Sequence, residues 1–159
     1  MKVFLLAALV AYLGVAGFVW FAQESLIFYP RPSSGPAVAP AGWRLETIAI
    51  RARDGTRLAG ALLLPPGERP PPLVIYYGGN AEEVSAYAQS ASELYGRRAV
   101  LLVNYRGYGQ SEGKPTEAAL VSDALELFDW AAQRHDIDPA RIAVHGRSLG
   151  TGVAVQVAA

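Results

Sequence analysis

The chain has 159 residues, 52% of them apolar, with 14 basic and 14 acidic side chains and no cysteine. A formal charge of zero, with no basic stripe interleaved with aromatics, leaves no electrostatic footprint for nucleic acid. The lack of cysteine excludes disulfides, thiolate zinc sites and a lipoprotein attachment point.

After Lys2 the run from Val3 to Ala22 carries no charge and is rich in Leu, Val, Ala and aromatics. At about 1.5 Å per residue it is long enough to cross roughly 30 Å of hydrocarbon. Residues 1–22 are therefore expected to be a transmembrane anchor, with residues 3–22 in the membrane. A cleaved signal peptide is the competing reading, since Val15-Ala16-Gly17 offers small residues. Secretory apolar segments are shorter, however, and this run ends in Phe18-Val19-Trp20-Phe21, which suits a membrane interface. Lys2 and the amino terminus, set against Glu24, favour a cytoplasmic N-terminus although Arg31 opposes it. The reading is a single-pass membrane protein with its remaining part on the extracytoplasmic side.

Residues 23–42 contain Pro30, Pro32, Pro36 and Pro40 and read as a tether. From Trp43 to Ile50 apolar and polar residues alternate, Asp54-Gly55 supplies a tight turn, and Leu58 to Leu64 returns as the second strand of a hairpin. Strands and helices then alternate: strand Leu73–Tyr77, helix Glu82–Tyr95, strand Ala99–Asn104, helix Glu117–Arg134, strand Ile142–His145 and helix Leu149–Ala159. Such alternation predicts a parallel sheet with right-handed crossovers, an α/β fold over residues 43–159.

The chemistry lies at the last strand-to-helix junction. Gly146-Arg147-Ser148-Leu149-Gly150 spells G-x-S-x-G directly after the apolar Ile142-Ala143-Val144. A nucleophile elbow needs a strand, a sharp turn and a helix in that order, and needs glycines where side chains would strike the neighbouring strand or helix. Ser148 is the candidate nucleophile, with Gly146 and Gly150 the elbow glycines. Upstream, the strand Leu73–Tyr77 runs into Gly78-Gly79-Asn80, where an oxyanion loop belongs. The backbone N–H groups of Asn80 and Leu149 are the candidate donors to a tetrahedral oxyanion. Asn80 also suits an N-cap, with Glu82 and Glu83 in the first turn of the helix.

These segments resemble the α/β-hydrolases, and within them the membrane-anchored serine hydrolases similar to acyl-protein thioesterases and monoacylglycerol lipases. The resemblance rests on Leu26-Ile27-Phe28-Tyr29-Pro30 after the apolar N-terminus, the hairpin segment from Arg53 to Leu58, the stretch from Asn104 to Gly113, and the elbow. One departure is that many members carry His-Gly-Asn where this chain has Gly78-Gly79-Asn80. The resemblance implies a serine hydrolase acting on ester, thioester or related acyl bonds of a small acyl or lipid-like substrate near a membrane.

Competing motifs fail on spacing. Gly107-Tyr108-Gly109 has Glu112 where the third glycine of a dinucleotide fingerprint belongs, and Lys114 is followed by Pro115 instead of Ser or Thr, which rules out a phosphate-binding Walker loop. His135 and His145 lie too far apart for metal-ligand spacing, so neither a cofactor nor a metal is implied. His145 sits on the strand feeding the elbow, with its side chain expected to point into or across the sheet as a packed or capping residue, and His135 lies at the remote end of a helix. Neither is expected to be the base. Arg147 is read as a surface ion pair in preference to a substrate contact, and the loop Tyr105 to Pro115 as either pocket lining or scaffold.

The resemblance places further strands after the elbow and orders the triad as nucleophile, acid, histidine. The expectation is thus an α/β-hydrolase sheet truncated after the elbow, with the acid and histidine absent, the strand Ile142–His145 left at an edge and this chain inactive as it stands. The alternative is a non-catalytic membrane-tethered binding module or an inactive remnant.

Overall fold

A computed structural model describes residues 1–67 and 69–159. The uncharged N-terminal run forms a 26-residue helix, α1 (Lys2–Ile27), none of whose residues is buried. Its length and composition are sufficient to cross a membrane.

The tether segment that follows has no helix or strand beyond one bridge between Pro32 and Gly109, as its prolines dictate, yet it lies against the domain. Gly109 donates its N–H to the Arg31 carbonyl at 2.7 Å. Ser34 Oγ donates to the Glu83 carboxylate at 3.2 Å, and Phe28 is buried in the main core.

The hairpin forms as its alternation predicts, from β1 (Arg44–Arg51) and β2 (Arg57–Leu64) in antiparallel register with Arg51 opposite Arg57. Asp54 Oδ1 accepts the Thr56 N–H at 3.0 Å, and Gly55 takes the positive φ (88°) that the turn requires. The parallel part comprises β3 (Leu73–Tyr77), β4 (Ala99–Val103) and β5 (Ile142–Gly146). The five strands lie in the order β1-β2-β4-β3-β5, so the sheet is mixed, with the hairpin antiparallel and β5 at an edge, paired with β3.

β3 and β4 are buried along their full lengths, which is why they read as unbroken apolar runs. Period-two alternation sorts them between two cores. Ile75, Tyr77, Leu101 and Val103 pack with α3 (Glu117–Ala132) and α4 (Leu149–Ala158) on one face. Tyr76, Val100 and Leu102 meet Val84, Ala88 and Ala91 on the other.

Thr116 caps α3 by accepting the Ala119 N–H at 3.1 Å, and the helix buries Leu120, Ala124, Leu127 and Ala131 at the predicted period. It ends at Ala132, short of the expected Arg134, whose guanidinium is turned to the carboxylates of Glu46 and Asp136.

The expected helix Glu82–Tyr95 is not one α-helix. Ala81 takes a left-handed φ of 59°, Glu82 and Glu83 precede the helical residues, Val84–Ser90 is a 3₁₀ helix, and only the short α2 (Ala91–Tyr95) is α-helical. Side chains outcompete the helical ladder here. Glu83 accepts the Ser85 N–H at 3.1 Å, and Asn104 Oδ1 takes the Val84 N–H at 3.0 Å. The cap is therefore Glu83 and not Asn80.

Candidate active site

The turn between β5 and α4 has the strained geometry that the five-residue motif predicts. Ser148 is exposed and sits at φ 50°, ψ −115°, a conformation rare for any residue with a side chain. The glycines are required by contact. A Cβ on Gly146 would lie 2.1 Å from the Gly150 carbonyl oxygen, and one on Gly150 would lie 2.0 Å from that of Tyr77. Arg147 N–H donates to Tyr77 O at 3.0 Å, stitching the turn to the end of β3, and Thr151 Oγ1 bonds the Ser148 carbonyl at 2.6 Å.

The glycine loop after β3 lies against this turn. A Cβ on Gly79 would stand 3.6 Å from Ser148 Cβ and 3.5 Å from Arg147 O, ordinary contact distances that place the loop beside the serine. Gly78 is filled from outside, since its Cβ would meet Val84 Cγ1 at 2.6 Å. That contact gives a physical reason why a side chain is missing at the first position of the loop. Gly79, Asn80, Arg147 and Ser148 share the wall of a cavity of about 280 Å³. Among the described residues, no hydrogen bond engages the backbone N–H of Asn80 or of Leu149.

The Gly79 N–H, by contrast, is taken by the buried carboxylate of Glu82. The same carboxylate accepts from Tyr76 Oη at 3.0 Å and pairs with Arg147, which also donates to Tyr87 Oη at 2.7 Å. Burial pushes the Glu82 carboxyl up, but hydrogen bonds from Tyr87, Gly79, Tyr76 and Arg147 together hold it below its ordinary range. Arg147 is thus a surface ion-pair partner, as expected.

Asn80 does more than expected with its side chain. Its Nδ2 donates to the Ile27 carbonyl at the end of α1 (2.6 Å), and its Oδ1 accepts from Tyr29 N–H (3.0 Å) and Tyr108 Oη (2.7 Å). Tyr105 Oη donates to Gly78 O at 3.0 Å, so the loop after β4 serves as scaffold beneath the glycine loop.

A family model for X-Pro dipeptidyl-peptidase (S15 family) matches residues 54–159. An uncharacterized protein of Mycobacterium tuberculosis (strain ATCC 25618 / H37Rv) is 40% identical over 151 residues, covering 91% of this chain and 52% of the relative. The alpha/beta hydrolase domain-containing protein WAV2 of Arabidopsis thaliana is 33% identical over 147 residues, covering 88% and 47%. An acetyl xylan esterase from Paenibacillus sp. R4 shares the fold, with a TM-score of 0.65 at 23% identity over 74% of this chain and 45% of that one. The chain belongs to the α/β-hydrolase superfamily.

This α/β-hydrolase chain spans about half the length of the curated relatives it matches. The sheet order β1-β2-β4-β3-β5 stands within an α/β-hydrolase fold, the fold the resemblance implies. His145 is not packed into the sheet: it is exposed on the edge strand, with its ring edge-on to Tyr76 and Tyr95 and its Nδ1 2.8 Å from Tyr95 Oη, whose pKa burial pushes up to about 12, and it shares the wall of a cavity of about 500 Å³ with Ser148. His135 is exposed just beyond α3. Among the described residues no group of three His, Cys, Asp or Glu side chains is placed to hold a metal ion.

Sequence reading missed Glu82 as the ligand of the glycine loop and the Asn80 side chain as a clasp on α1. Gly79 lies only three residues from Glu82, but the ion-pair partner Arg147 lies 65 residues away and Ile27 lies 53 from Asn80, and no local pattern points to these contacts.

Proposed function

We propose that the protein is a serine hydrolase that cleaves ester, thioester or related acyl bonds beside a membrane. Ser148 Oγ attacks the acyl carbon, the carbonyl oxygen becomes an oxyanion held by the Asn80 and Leu149 N–H groups, and as the oxyanion collapses the alcohol, thiol or amine leaves with the proton the serine hydroxyl gave up. Water then attacks the acyl-enzyme and releases the acid. α4 begins at Leu149, so its positive N-terminal end also favours negative charge beside Ser148.

The observation that carries this reading is the strained φ of Ser148 on a turn whose flanking Gly146 and Gly150 admit no side chain. Such strain persists only where the surroundings enforce it. The relatives' names span an esterase and a dipeptidyl-peptidase, which share acyl transfer to a nucleophile. The base is assigned to neither His135 nor His145, and the activity is proposed for the whole protein. α1 is proposed as a single-pass anchor with the hydrolase part on the extracytoplasmic side.

A serine-directed fluorophosphonate tests the assignment. Stoichiometric labelling mapped to Ser148, abolished by Ser148→Ala, is the expected result. A folded protein that takes no label there would instead favour a non-catalytic membrane-tethered module.

A further inference from the structure

A second cavity, of about 430 Å³, opens between the foot of α1 and helices α3 and α4. Its apolar wall is built from Ile27 and Phe28 at the helix end, Leu120 and Val121 of α3, and Leu149 and Val153 of α4. The volume falls in the range of small-molecule sites. The charged residues of its lining, Glu24 and Glu117, are both acidic and exposed, which disfavours an anionic occupant and leaves the apolar wall to a neutral one.

Three observations connect this space to the hydrolase reading. Leu149 is shared, because its side chain lines the cavity while its N–H is the proposed oxyanion donor next to Ser148. The cavity thus reaches the residue that follows Ser148. Ile27 ends α1, whose large apolar side chains are exposed from Val3 onward, so a membrane around that helix is continuous with the cavity. Finally, the wall is fastened to the site. Asn80 bonds the Ile27 carbonyl and the Tyr29 N–H, and Phe28 between them is buried.

We propose that this cavity binds the hydrocarbon chain of a membrane-embedded, uncharged acyl ester and measures its length between α1 and α4. The proposal rests on reading Ser148 as the nucleophile and α1 as an anchor.

Gly152 supplies the test. It lines the cavity, and a Cβ built on it meets nothing within 4 Å, so Gly152→Trp adds bulk to the space without displacing backbone. The full protein in liposomes is assayed with acetyl and palmitoyl nitrophenyl esters. Gly152→Trp is expected to lower the palmitoyl-to-acetyl ratio of kcat/KM by about tenfold or more, the scale on which lost apolar contacts discriminate substrates. Gly152→Leu is expected to shift it less, in the same direction, and circular dichroism melts establish that both variants are folded.

A parallel arm uses a pyrene-labelled hexadecyl ether and Ser148→Ala, where no chemistry is possible. The ether is expected to bind Ser148→Ala and to be lost from the Ser148→Ala/Gly152→Trp pair. Ether binding without turnover of any ester would sink the nucleophile and leave the cavity assignment standing. Turnover with an unchanged chain-length ratio, or ether binding that survives Gly152→Trp, overturns the cavity assignment.

Discussion

Glycine and glutamate residues set the terms at the smallest scale. A Cβ at Gly150 would stand 2.0 Å from the Tyr77 carbonyl oxygen, so Gly150→Ala must push α4 off the end of β3. The expected loss is about 1–3 kcal/mol, read from a denaturant midpoint. Gly152→Ala, in open space two residues on in the same helix, should gain up to about 1 kcal/mol. Glu82 makes the acid limb of stability. Its folded carboxyl titrates below the ordinary value of 4.5, so its contribution is complete above that value and is lost as pH falls through the folded one. Urea midpoints measured from neutral into the acid range should therefore fall more steeply for wild type than for Glu82→Gln. The glycines were legible in sequence because strained backbone and close approach admit almost nothing else. Glu82 was not, since a carboxylate at the start of an expected helix already has a local explanation.

Elements formed where burial and period agreed. β3 and β4 were read correctly because a short unbroken apolar run has few alternatives in a buried sheet, and α3 because its apolar residues keep the helical period. The region from Glu82 to Tyr95 has the same periodicity, yet it broke into a 3₁₀ helix and one turn of α-helix. Of its apolar stripe Val84, Ala88 and Ala91 are buried, but Leu94 at the far end is exposed, and the hydrogen bonds are not those of one α-helix. The deciding partner is Asn104, whose buried amide takes the Val84 N–H and donates to Glu83. Asn104→Ala strands these buried groups and should cost about 1–3 kcal/mol, with faster hydrogen exchange confined first to residues 84–95.

At the scale of the molecule, an exposed apolar helix meets a sheet domain through a proline-rich segment that is pinned down. The long apolar helix was legible from length and hydropathy alone, while the docking of residues 28–34 was not, because proline spacing reports stiffness and says nothing of partners. If α1 spans a membrane, Leu13→Arg near its middle should cost insertion about 2.5–3.5 kcal/mol and move protein out of the carbonate-resistant membrane fraction. Recovery of that variant unchanged in the membrane fraction would count against a spanning helix. Asn80 joins the two halves of the molecule. The side chain that fastens the helix and the amide proposed as an oxyanion donor belong to one residue, so no replacement there tunes the fastening and spares the bearing of the amide. In a saturation scan, this half-buried position should prove as intolerant as the core.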